Sequence, residues 1–319
     1  MMITSKANPA ASFAGALSRI EAQRQRDRAG EVRQICLPRV LDHGASTAWA
    51  VVILHGFSNC PEQFQEFGRR LFDLGFNVYI PRQPYHGLAN RTGKNLAPLT
   101  TAGLAAFGDQ ALDIGRGLGR RVLVTGLSGG GTLAAWLAQN RPDLDLAMPI
   151  AAMLGLSFIP SPFTRPFAWL INHIPDFYMW WDPRSKADNP YAVDYSYPGY
   201  SIHAMSELLK LGVLVRQQAH TLPPQARKIV MVINDNEPGV NNPELYKLIA
   251  DWEAHKNQTV VGIFHLERDL KLPHDIITPG THGVDIETVY ELLFARILAE
   301  TGAGPGSLSG SRNEPVAKL

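Results

Sequence analysis

The stretch from Val122 to Gln139, VLVTGLSGGGTLAAWLAQ, constrains this chain more than any other. VLVT is apolar or β-branched throughout, as in a strand buried on both faces. GLSGG follows, and then TLAAWLAQ, whose residues favour a helix. Bulky side chains at Gly126 and Gly130 would collide with the chain in so tight a strand-to-helix turn. Ser128 is thereby held in a strained conformation with its hydroxyl above the sheet edge. The next helix aims its N-terminus there, where free N–H groups and the helix dipole favour developing negative charge. A glycine-rich turn with an N-capping serine would share the local pattern. The Lys-Ser/Thr ending of a phosphate loop is absent, and the spacing of a dinucleotide fingerprint is not met.

The same alternation runs along the chain. AWAVVIL (48–54), FNVYIP (76–81), RRVLVTG (120–126), LDLAMPIAAML (144–154), KIVMVIN (228–234) and TVVGIF (259–264) read as strands. Helices are expected from Pro61 to Gly75, over 101–119, from the elbow to Asn140, and from Pro243 to about His255. A last helix carries Ile286, Val289, Leu293 and Ile297 at helical spacing. Strands alternating with helices predict an α/β fold, with a mostly parallel sheet covered on both faces. Residues 157–222 break the pattern with Trp169, Trp180, Trp181, several tyrosines and many prolines, and are longer than an ordinary connection. They read as a cap inserted between core segments 33–156 and 223–300. An amphipathic helix over about Ser12 to Arg26 forms an extension, 1–32, and residues 301–319 read as a disordered tail.

A serine at such an elbow acts as a nucleophile only with a base, an orienting acid and donors for an oxyanion. The N–H of Gly129, directly after Ser128, is one donor. The loop in VVILHGFSNCPEQF supplies the other from Phe57, while His55 precedes the serine and is in the wrong order to be the base. Of the later histidines, His173, His203 and His220 fall in or at the cap, His255 ends a helix and His265 ends a strand. His274, in LKLPHDIITP, follows the last strand, where the base belongs, with His282 behind it as a weaker candidate. The acid should follow KIVMVIN, where Asp235 and Glu237 both stand. Asp275 is expected to shape the His274 loop, and Trp180 and Trp181 to wall a substrate pocket.

These segments together resemble the α/β-hydrolase superfamily, most of all the bacterial carboxylesterases and monoacylglycerol-lipase-like serine hydrolases, over about residues 51–298. LHGFSNCPEQF, GFNVYIPRQPYHG, VTGLSGGGTLAAWLA, NDNEPGVNN and LPHDIITP carry the resemblance. It implies an aspartate three residues before a valine, and in NDNEPGVNN that place holds Glu237, before Pro238 and three from Val240. Glutamate thus replaces aspartate, with Asp235 as the alternative acid. The resemblance implies hydrolysis of a small-molecule ester through Ser128, His274 and Glu237, with no cofactor or metal. The same triad could act on an amide, thioester or carbon–carbon bond, and a binding protein on this scaffold is a further reading.

The formal net charge of +1 gives no electrostatic reason to expect nucleic acid or an acidic membrane surface as partner. The first thirty residues lack a secretory pattern, so the cytoplasm is expected. Two cysteines, Cys36 and Cys60, make no disulfide framework and are expected as free buried thiols, with a single bridge between them as the alternative.

Overall fold

The structure, a computed structural model, describes residues 3–91, 94–184 and 193–303. The tail expected at 301–319 lies outside these residues from 304 onward. The strands are β1 (Arg39–Leu41), β2 (Thr47–Leu54), β3 (Asn77–Ile80), β4 (Gly119–Leu127), β5 (Leu146–Ile150), β6 (Tyr178–Trp180), β7 (Gly199–Ser201), β8 (Lys228–Asn234) and β9 (Val260–Leu266). The helices are α1 (Phe13–Ala29), α2 (Gln65–Asp73), α3 (Thr101–Leu118), α4 (Gly129–Asn140), α5 (Thr164–Ile171), α6 (Ile202–Thr221), α7 (Asn242–Ala254) and α8 (Ile286–Thr301).

Seven strands form one sheet in the order β1-β3-β2-β4-β5-β8-β9. Only β1 runs antiparallel, against β3. The apolar runs 50–54 and 122–124 are fully buried, which requires cover on both faces. α2 and α8 form one cover, joined by the rings of Phe67, Tyr290 and Phe294. α3, α4, α6 and α7 form the other, each packed on the next. This is the mostly parallel, doubly covered α/β architecture expected from the alternation, and it agrees with the α/β-hydrolase fold that the resemblance implies.

α6 sits in the middle of that second layer, against α3, α4 and α7. It lies within the expected cap, 157–222, yet it is the crossover helix from β5 to β8. Its Leu208, Leu209, Leu211 and Val215 are buried. Above the sheet edge stand α5 and the antiparallel pair β6–β7, with α5 packed on α6.

α1 lies on α3. The approach is closest at Gly117, where a Cβ would stand 2.7 Å from Ser12 O, 2.8 Å from Ala16 Cβ and 2.9 Å from Ala10 Cβ. Ahead of α1, Ala10 N–H donates to Asp113 O and Asn8 N–H to the Asp113 carboxylate. Lys6 N–H donates to Asp109. Buried Arg141 binds both of these aspartates, Asp109 at 3.0 Å and Asp113 at 2.6 Å.

Cys36 and Cys60 form a disulfide, with Cα atoms 5.3 Å apart, which corrects the expectation of free thiols. The chain after α1 runs back over the loop beyond β3, with Ala89 N–H donating to Glu31 O and Arg33 N–H to Gly87 O. That return brings two cysteines 24 positions apart together. Spacing alone could not reveal it.

Candidate active site

Parallel pairing in register ends β2, β4, β5 and β8 along one edge, with Leu54 beside Gly126 and Leu127 beside Ile150. The backbone is strained just beyond that edge. Ser58, Tyr85, Ser128 and Ala151 all have positive φ although none is glycine. Such residues cost on the order of 1–3 kcal/mol each and persist only where the surroundings over-determine them.

Ser128 has φ 58 and ψ −112 and is the N-cap of α4. Its N–H donates to Ile150 O, and its carbonyl accepts from Thr132 and Met153 N–H. The turn rides so close on β2 that a Cβ at Gly130 would lie 1.9 Å from Leu54 O, and one at Gly126 2.4 Å from the same atom. The flanking glycines are therefore demanded by the backbone of the neighbouring strand.

The Gly129 N–H belongs to the first turn of α4, where N–H groups have no intrahelical acceptor. A Cβ on Gly129 would stand 3.3 Å from Phe57 N, so the two backbone segments converge beside Ser128. Neither N–H donates to a backbone acceptor among the described residues. His55, at the start of the Phe57 loop, is buried and shapes it. Its Nε2 accepts from Gln83 N–H at 3.1 Å, so its Nδ1 donates to Gly56 O at 2.9 Å. Burial, then the neighbouring His86, hold its pKa well below the ordinary value.

His274 Nδ1 lies 2.8 Å from Glu237 Oε1. The same oxygen accepts from Gly239 N–H at 2.7 Å and Val240 N–H at 3.2 Å. Glu237 is thus fixed by its own loop, and its Oε2 is buried with no hydrogen-bond partner among the described residues. Burial pushes the carboxyl up, but the His274 hydrogen bond and charge, with the two N–H groups, hold it below its usual value. For His274 burial acts downward, while the bond and charge of Glu237 and the charge of Asp275 act upward, and the net is a raised pKa. Asp235 points elsewhere. It binds His265 Nδ1 at 2.9 Å, on the edge strand β9. Asp275 accepts from Ile277 N–H, Thr278 N–H and the Thr278 hydroxyl, holding the histidine loop. His282 is exposed and does not line the site.

A cavity of about 270 Å3 opens between these groups, lined by Ser128, His274 and Phe57. Leu127, Met153, Leu156, Val193 and Val240 give it an apolar side, and Asn59, Gln63 and Thr278 a polar one. Trp181 is a lining residue and Trp180 is not. The Trp181 indole N–H donates to Ser58 Oγ at 2.8 Å, and its ring packs on Tyr200. Trp180 instead sits edge-on to Tyr178 within the β6–β7 pair. Tyr197, one of the tyrosines of the aromatic-rich segment, also lines the cavity and donates its N–H to Ser58 O at 2.8 Å.

Residues 45–223 match the family described as "Serine aminopeptidase, S33" (Hydrolase_4). The thermostable monoacylglycerol lipase of Bacillus sp. (strain H-257) is 30% identical over 120 residues, covering 36% of this chain and 44% of that lipase. The match thus spans less than half the length of that relative. Among solved structures, one from a study of the metagenome-derived lipolytic enzymes LipS and LipT superposes with a TM-score of 0.61 at 19% identity, covering 84% of this chain and 99% of that one. The Paleococcus ferrophilus monoacylglycerol lipase gives 0.59 at 16% identity, with 82% and 98% covered. A soluble variant of the Saccharomyces cerevisiae monoglyceride lipase, in complex with a substrate analogue, gives 0.62 at 13% identity, with 83% and 91% covered. At these identities the structural likenesses speak to the fold.

Proposed function

The chain belongs to the serine aminopeptidase S33 family of α/β hydrolases, and from that premise we propose that it cleaves small carboxylic esters through an acyl-enzyme on Ser128. The observation that carries this is the bond between His274 Nδ1 and Glu237 Oε1, with Ser128 and His274 lining one cavity. With its Nδ1 proton committed to Glu237, the imidazole offers Nε2 as the base. Ser128 Oγ attacks the ester carbon as Nε2 takes its proton. Glu237 balances the imidazolium, and the Phe57 and Gly129 N–H groups receive the oxyanion. His274 then protonates the departing alcohol, and water, activated by the same base, releases the acid.

The family description raises amide cleavage at a free N-terminus as the second reading. Recognition of an α-ammonium calls for a free carboxylate in the cavity. Asp275 is the only acid among the described lining residues, and its oxygens are taken by Gln63, Ile277 and Thr278. That supports the ester. The small cavity suits a short acyl or aryl group, with α5, the β6–β7 pair and Trp181 acting as the cap over it.

No helix among the described residues is long and apolar enough to cross a membrane. The cytoplasmic location read from the N-terminus would keep the Cys36–Cys60 pair reduced, whereas an oxidising compartment would keep it bridged. The test of the proposal is fluorophosphonate labelling, followed by rates on matched ester, thioester and amide substrates. The native protein should label on Ser128 and prefer the ester. Turnover by a folded Ser128→Ala variant, or faster cleavage of an aminoacyl amide, would overturn it.

A further inference from the structure

Gln63 stands between the two loops that the reaction must hold in register. It is 1% exposed. Its Oε1 accepts the Gly56 N–H at 2.8 Å, and its Nε2 donates to Asp275 Oδ2 at 3.0 Å. Gly56 immediately precedes Phe57, and Asp275 immediately follows His274. No backbone hydrogen bond among the described residues joins 55–60 to 272–278. The strands these loops leave or follow, β2 and β9, lie on either side of β4, β5 and β8 in the sheet. The carboxamide therefore spans a gap that the sheet itself does not.

We propose that Gln63 is a positioning residue, whose carboxamide sets the spacing between the Phe57 N–H that receives the oxyanion and the His274 base. The inference rests on the triad reading above. Its chemistry follows from what each end meets. Gly56 presents a donor and needs an acceptor, while Asp275 presents an acceptor and needs a donor. Only an amide of this length serves both. A carboxylate would face the Asp275 carboxylate, and a thioether would leave the Gly56 N–H without its acceptor and Asp275 without its donor from across the gap. The two N–H groups that await an oxyanion must sit within a few tenths of an ångström of its position, and a misplacement of about 1 Å costs on the order of 10²-fold in rate. The substrate is bound by cavity walls that Gln63 only partly forms, so the loss falls on kcat rather than KM.

The experiment compares Gln63→Met and Gln63→Glu in the full chain with the native protein. It measures kcat and KM on p-nitrophenyl butyrate from pH 5.5 to 8.5, with Tm alongside. Both variants should label with fluorophosphonate and lose about 10- to 100-fold in kcat near pH 8, with KM within about threefold. The introduced carboxyl of Q63E lies buried against Asp275, so its pKa is raised and it takes up a proton in the lower half of the range. Once protonated it donates to Asp275 again. The ratio of variant to native kcat should therefore rise as pH falls for Q63E and stay flat for Q63M. A purely structural role would give parallel ratios tracking the folded fraction. Native-like kcat in Q63M, or a flat ratio in Q63E, overturns the inference. If Q63M does not fold, the near-isosteric Q63E decides alone. Turnover by Ser128→Ala would sink the triad itself, whereas an inactive Ser128→Ala beside a fully active Q63M would sink only the role of Gln63.

Discussion

Glu237→Gln separates charge from geometry at this site. In the structure one oxygen of Glu237 takes three donors, from His274, Gly239 and Val240, while the other is buried with none among the described residues. A glutamine keeps all three by placing its carbonyl where Oε1 stands, and its NH2 replaces the unpartnered oxygen. His274 accordingly keeps its tautomer, and one unpartnered buried group replaces another, so stability should change by no more than about 1–2 kcal/mol. What is lost is the negative charge opposite the imidazolium. At about 4 Å and an effective dielectric near 20 that charge contributes about 4 kcal/mol, of which the amide dipole restores a part. About 3 kcal/mol corresponds to on the order of 10²-fold in kcat/KM. The pH profile moves as well. His274 must be neutral to accept a proton, and its pKa in the native protein lies above 6.5, so native activity falls as pH drops through that raised value. The glutamine removes the charge that raises it and weakens the bond, and leaves the burial that lowers it, opposed only by the smaller upward effect of Asp275. The acid limb of the variant should then lie at lower pH than the native limb, with a reduced plateau. Ester hydrolysis from pH 5 to 9, with Tm at each pH, reads both quantities. A plateau within tenfold of native, or a limb that stays in place, refutes the reasoning. So does an Asp235→Asn variant that is the inactive one, because Asp235 is engaged by His265.

Gly130→Ala should yield little folded protein, since its Cβ would meet the Leu54 carbonyl at 1.9 Å; a normal yield and Tm would contradict the tight elbow. Trp181→Ala should change the ratio of rates on acetyl and hexanoyl esters severalfold, whereas Trp180→Ala should leave it unchanged, because only Trp181 lines the cavity. The Cys36–Cys60 bridge spans 24 positions and should contribute about 3 kcal/mol, so a reductant should lower Tm by several degrees in the native protein and not in Cys60→Ser. Equal melting with and without reductant would show the bridge to be thermodynamically silent.

Where a residue's task is settled by its near neighbours in the chain, the sequence already displayed it. The buried strands β2, β4 and β8 are continuous apolar runs, and the elbow is a local steric pattern. The position of His274 after the last strand, beside Glu237 in the structure, follows from chain order. Glu237 and Asp235 differ by two positions; the resemblance implies the first as the acid, while their contacts, one to His274 and the other to His265, depend on the fold. The rest hangs on distant contacts. α6 carries a helix pattern, but its place beside α4 depends on packing among residues far apart in the chain. β1 is three residues long and gains its meaning from β3. Cys36, Cys60 and Gln63 carry no local mark of their partners, because each partner arrives by a different route through the chain.

The arm before residue 45, where the family match begins, has left an imprint inside the stretch that the family shares. Gly117 lies near the end of α3, and a methyl group there would strike Ser12 O, Ala16 Cβ and Ala10 Cβ, all from the arm. Nothing within α3 itself asks for glycine, and alanine is the better helix former by about 1 kcal/mol. The two features should therefore be inherited together. Among homologues, those with an arm laid over this helix should keep glycine at the position, and those without it should drift to alanine or larger residues, so that one column of an alignment reports whether a distant segment is present.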